Sequence, residues 1–99
     1  MEGETMGRQY QIESSVQRIT SLEGKVFWVG TCHLATATDQ HIKSEVRPYE
    51  RVAWVTGRSR VDIGQPWPDP TTPVGLSRLL EIAEGLAVTE WERRFGGAK

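Results

Sequence analysis

The amino-acid sequence predicts an α+β domain, an antiparallel β-meander of three to five strands packed on one face by a single C-terminal α-helix. Three observations carry that expectation. From Arg8 to Val16 apolar and polar residues alternate strictly. Lys25 to Thr36 is β-rich and apolar in both parities. Val74 to Phe95 carries an apolar stripe of helical period between a proline-rich loop and Gly96-Gly97.

Ninety-nine residues, 37% hydrophobic and 25% charged, suit one soluble domain. A chain of this length buries roughly 60–65% of the surface it exposes when unfolded. Twelve basic residues against thirteen acidic leave a net charge of −1, so no global field draws the chain to nucleic acid or to an anionic membrane, and either role needs a local patch. Cys32 is the single cysteine; no intrachain disulfide can form, which fits a reducing compartment. No run approaches the roughly 18 apolar residues of a membrane span, and Met1 to Gly7 lacks the apolar core of a signal peptide. A cytoplasmic location without a membrane partner is therefore expected.

Met1 to Gly7 has nothing to bury and is expected to fray, leaving 8–97 as the domain. In the first strand Tyr10, Ile12 and Val16 point one way and Gln9, Gln11, Glu13, Ser15 and Gln17 the other, which gives one wet face. The alternation fails at Ile19, and Ser21-Leu22-Glu23-Gly24 reads as a turn with Gly24 at positive φ. In the next strand Val26, Trp28, Cys32 and Leu34 alternate with Phe27, Val29, His33 and Ala35. A strand apolar on both faces sits centrally. Gly30 in its middle signals a bulge or a close backbone approach.

After Thr38-Asp39-Gln40 a short strand alternates Ile42, Ser44 and Val46 with Lys43, Glu45 and Arg47, and Pro48 ends it. Val52 to Val55 and Val61 to Ile63 flank Thr56-Gly57-Arg58-Ser59, which fits either a hairpin turn between two strand pieces or one long bent strand. Gly64 to Pro73 holds four prolines and runs extended, with Thr72 as N-cap and Pro73 as first helical residue.

On the helix, 74–95, the stripe comprises Leu76, Leu79, Leu80, Ala83, Leu86, Ala87 and Trp91. Gly85 projects opposite it, and Thr89-Glu90-Trp91-Glu92 matches a capping box, so a break between them competes with one continuous helix. Continuity is favoured because Ala83, Ala87, Trp91 and Phe95 keep a four-residue phase and Glu90 can pair with Arg94. Beyond Thr89, Glu90 and Arg94 enter the stripe, as though the helix overhangs the sheet there.

Chemistry is sparse. Cys32-His33 followed by His41 resembles a metal or thiol site, but adjacent strand residues point to opposite faces and cannot close on one ion without a bulge. Asp39, Glu45, Glu50, Asp62 and Asp69 show no diagnostic pairing, and Gly57-Arg58-Ser59 is no phosphate loop. No catalytic residue, metal site or cofactor is assigned. Two surface roles remain. Lys43, Arg47, Arg51, Arg58 and Arg60, with Tyr49 and Trp54 interleaved, resemble the cations and stacking rings of single-strand nucleic-acid binders; a sheet edge charged against self-pairing gives the same pattern. Trp67, held among prolines in Gln65-Pro66-Trp67-Pro68-Asp69-Pro70, suits an interface anchor or a clamp over the helix start. Trp91, Phe95 and Arg94 form either a contact surface or a plug at the core's end.

Tyr10-Gln11-Ile12, Gly24 to Trp28, Gly30, a threonine before the helix and the closing Trp91-Glu92-Arg93-Arg94 resemble small bacterial and phage-associated domains of unknown function, in which a β-meander precedes one C-terminal helix. The middle, Asp39 to Pro70, departs from that pattern. The resemblance implies the fold and supplies no catalytic residue. Small phage-encoded inhibitors of bacterial defence complexes are likewise short, cysteine-poor and motif-free. The expected function is a non-enzymatic interaction module, an inhibitor or adaptor that docks on a protein partner or forms a homodimer. Nucleic-acid binding through the basic and aromatic patch is the alternative.

Overall fold

The structure, a computed structural model, describes residues 10–96. The expected frayed segment Met1 to Gly7, the first positions of the alternating run (Arg8, Gln9) and Gly97 lie outside them. Strands β1 (Gln11–Thr20), β2 (Val26–Ala35), β3 (His41–Arg47) and β4 (Val52–Val55) form one antiparallel sheet in the order β1-β2-β3-β4, and helix α1 (Pro73–Trp91) packs on one face.

β1 and β2 pair residue for residue from Gln11↔Ala35 to Thr20↔Val26 without a bulge. The strand therefore runs through Ile19, which lies on the face away from α1 opposite Phe27; an apolar side chain in the polar parity does not end the ladder. Gly30 marks a close approach, since a Cβ there would lie 2.9 Å from Leu79 Cγ and 3.1 Å from the Leu79 carbonyl oxygen. The helix backbone comes down on the central strand at that point.

Toward α1 the sheet presents Cys32, Leu34, Ile42, Val46, Ala53 and Val55, which pack against Leu79, Ile82, Ala83, Ala87 and Trp91. Ser44 is the polar member of this layer, and its hydroxyl donates to the Ala83 carbonyl at 2.5 Å. The buried line differs from the leucine stripe: Ile82 belongs to it, whereas Leu76, Leu80 and Leu86 are half-buried on the flanks. Gly30 below and the alanines above let helix and sheet come together, so the small residues set the contact line.

The Thr56-Gly57 region is a hairpin. Val55 and Arg58 exchange two backbone hydrogen bonds, Gly57 has φ 85°, and the Val61 N–H reaches the Ala53 carbonyl at 3.0 Å, so the chain returns along β4. Val61, Ile63 and Trp67 then pack on the core's margin. Thr72 caps α1, its hydroxyl accepting from the Gly75 N–H at 2.9 Å, and Pro73 opens the helix. The α-helix is unbroken through Gly85 and Thr89. It ends at Trp91 rather than Phe95, and Glu92–Gly96 close it as one π-helical turn.

Candidate functional site

The end of the sheet where β2 begins and β3 finishes gathers three segments. β2 supplies Phe27 and Trp28, the turn after β3 supplies Pro48, Tyr49 and Arg51, and the proline loop supplies Trp67, Pro68, Asp69 and Pro70. Together they wall a groove of about 480 Å³. Local chemistry explains each wall. Pro48 ends the β3 ladder, and Arg51 turns the chain into β4 at φ 56°, its N–H bonded to the Pro48 carbonyl at 3.2 Å. Asp69 folds the loop onto the helix start by accepting from the Thr71 N–H and hydroxyl at 3.0 and 2.6 Å, while its carbonyl accepts from Thr72. Gly75 admits that carbonyl, because a Cβ there would sit 1.6 Å from it.

Inside the groove the rings of Phe27 and Tyr49 meet at 4.7 Å. On the other side of that pair a second recess of about 180 Å³ is lined by Ile19, Val29, Arg47 and Glu50. The surroundings are apolar. Of the six exposed large hydrophobic residues described, five (Ile19, Leu22, Val26, Tyr49 and Val74) belong to this end of the molecule. Charges of both signs flank the groove. Lys25 Nζ lies 3.5 Å from the Tyr49 hydroxyl, Arg51 stands in one wall, and in the other the hydrogen bonds from Thr71 hold the Asp69 carboxyl below its ordinary range.

Of the interface candidates, Trp67 is half-buried, packs against the core's margin and lines the groove. Trp91 is 6% exposed and plugs the opposite end of the core between Tyr10 and Phe95, with ring centroids at 4.9 and 4.6 Å. Phe95 remains partly exposed beside it. Arg94 bonds inward, to Glu90 at 2.7 Å and to the Thr56 carbonyl at 3.0 Å.

The six nucleic-acid candidates fall into two groups. Arg47, Tyr49 and Arg51 stand at the groove end, where Arg47 is paired with Glu45 and, at 3.6 Å, with Glu50; the hydrogen bond it donates to Glu45 leads in raising its pKa. Lys43 belongs to the other end, its backbone bonded to Thr56 beside the hairpin that carries Arg58, and Arg60 lies in the returning chain. Trp54 faces away from α1, on the same side of the sheet as Glu45.

Cys32 and His33 point to opposite faces. The thiol is buried under α1 and is pushed up to about 11, first by burial and then by Glu84, while His33 meets His41 edge-on at 5.6 Å on the open face. Among the described residues no three His, Cys, Asp or Glu side chains converge on a metal position, and no helix is long and apolar enough to cross a membrane. Phe27, Trp28 and Pro48 were not singled out by the sequence as surface residues. The one signal available was the pair of aromatics opening a central strand beyond the reach of the covering helix. No family model, curated protein or solved structure matches the chain.

Proposed function

We propose that the protein is a non-enzymatic interaction module, an adaptor or inhibitor that receives an extended, proline-containing segment of a protein partner in the groove between Tyr49 and Trp67. The observation that carries the reading is the groove wall itself: four aromatic rings, Phe27, Trp28, Tyr49 and Trp67, beside three prolines. A polyproline-type segment has no internal hydrogen bonds and is held by packing its pyrrolidine rings between aromatic side chains, with indole N–H groups donating to its carbonyls. Trp28 and Trp67 bring the indole donors that such a ligand needs to the groove wall. Arg51 and Asp69 on opposite walls give the ligand a direction. The free, buried Cys32 suits a reducing compartment such as the cytoplasm.

The nucleic-acid alternative draws on the same rings, which can stack bases. It is the weaker reading because Arg47 is neutralised by two glutamates and Lys43 and Arg58 stand at the other end of β3. Selection from a displayed peptide library on the immobilised protein tests the choice. Proline-containing peptides are expected, binding at least tenfold more weakly to Tyr49→Ala, a loss of about 1.4 kcal/mol at a hot-spot ring. A library that yields nothing, or peptides indifferent to Tyr49→Ala, overturns the groove. Salt-sensitive binding of a single-stranded oligonucleotide in their place moves the function to the alternative.

A further inference from the structure

Among the described residues one edge of the sheet is covered by returning chain and the other has no paired strand. Beyond β4 the chain returns and bonds to it through Arg58 and Val61. Along the outer edge of β1, ten residues long, no strand is paired among the described residues. Few of the devices that blunt an exposed edge occur in β1: it has no proline and no bulge, and of its ten residues only Glu13 and Arg18 are charged. Alternate residues of an antiparallel strand direct both backbone groups to the same neighbour. The bond from the Ser21 N–H to the Lys25 carbonyl fixes the phase, so Ile12, Ser14, Val16, Arg18 and Thr20 turn theirs outward. The flank above is unfinished too. On the side of α1 that reaches β1 through the Ser14–Glu84 hydrogen bond, Leu80 and Val88 are half-buried, as are Ile12 and Val16 beneath them.

We infer that β1 pairs antiparallel with β1 of a second copy about a two-fold axis perpendicular to the sheet, joining two four-stranded sheets into one. Such an axis keeps helix face with helix face, so each residue meets one of its own parity. Centred on Ser15 or Val16, the pairing sets Glu13 opposite Gln17 or Ile19 and Arg18 opposite Ile12 or Ser14. Every outward backbone group along the overlap finds a partner and no like charges oppose. The strand thus meets each demand its own edge makes. The dyad reverses strand direction, so the two grooves open at opposite ends of the joined sheet and the dimer is bivalent. The pairing itself does not depend on what the grooves bind.

Sedimentation of the full chain from low micromolar to millimolar concentration, with amide hydrogen exchange followed by NMR, tests it. The mass is expected to double with concentration. The Ser14 and Val16 amides gain protection as it does, while Ser15 and Gln17, already bonded to β2, do not change. Ser15→Lys, which brings two ammonium groups together near the axis, and Arg18→Pro, which removes an outward N–H, are each expected to hold the chain monomeric with its circular dichroism retained. A chain that stays monomeric at millimolar concentration overturns the inference. So does a dimer that persists in both variants, or Ser14 and Val16 amides protected in the monomer, which places the chain's own residues on the edge. Peptide binding by the monomeric variants reads the groove separately.

Discussion

Glu90 is a carboxylate with 2% exposure at the end of a helix, an environment that opposes its charge. It stays ionised because hydrogen bonds from Arg93, at 2.5 and 3.2 Å, and from Arg94, at 2.7 Å, outweigh burial and hold its pKa at about 2, below the ordinary 4.5. Arg94 also donates to the Thr56 carbonyl and so ties the helix terminus to the β4 hairpin. A carboxyl whose folded pKa is depressed contributes its full stability above the unfolded value and loses it as pH falls through the folded one. Stability to urea is therefore expected to decline from about pH 4.5 toward pH 2, and Glu90→Gln to flatten that decline. The same variant should cost about 2 kcal/mol at neutral pH, the usual size for a hydrogen bond to a charged group; an unchanged unfolding midpoint at pH 7 contradicts this. The four-residue spacing made the pairing of Glu90 with Arg94 legible in the sequence. The expected overhang is not found, because Arg94, which bonds Glu90, also reaches the Thr56 carbonyl of a hairpin distant in the chain.

Two glycines of α1, Gly75 and Gly85, and one of β2 beneath it, Gly30, differ in whether a side chain would fit. Gly85 is exposed, with no atom within 4 Å of where an added Cβ would stand, so Gly85→Ala should raise stability by about 0.5–1 kcal/mol, read as a higher melting temperature. Gly75 and, beneath the helix, Gly30 have no such room. Gly30→Ala is expected to cost about 1–3 kcal/mol, because the Leu79 carbonyl is backbone and cannot step aside as a side-chain tip would. Equal stability of Gly30→Ala and wild type in denaturant titrations would sink the close-approach account. The ends of the helix were readable because Thr72 and Pro73 act on their own neighbours. Its rotation was not: leucine outweighs alanine in any hydrophobic count, yet alanine and glycine are what permit contact with β2, and that depends on which strand lies underneath.

At the scale of the molecule, the strand order was legible because each strand pairs with its sequence neighbour through a short turn. The groove was not, since its walls come from three separate stretches and consist of residue types that a core also uses. The same distance in sequence scattered the basic patch. Folding has instead given the domain two dissimilar ends: at one, Trp91 is sealed between Tyr10 and Phe95; at the other, Tyr49 and Trp67 stand around open space. Stability and binding should then separate by position. Trp91→Ala opens a cavity in the core and should cost about 3 kcal/mol, while the folded fraction keeps its affinity for a groove peptide. Tyr49→Ala removes an exposed ring, moves stability by no more than about 0.5 kcal/mol and lowers the affinity. The sites share no partner, so the double variant should show the sum of the two stability changes within about 0.5 kcal/mol. Denaturant unfolding and tryptophan-fluorescence titration on the four proteins measure every term. A loss of peptide affinity in Trp91→Ala as large as that in Tyr49→Ala would mean that the two ends are one coupled site.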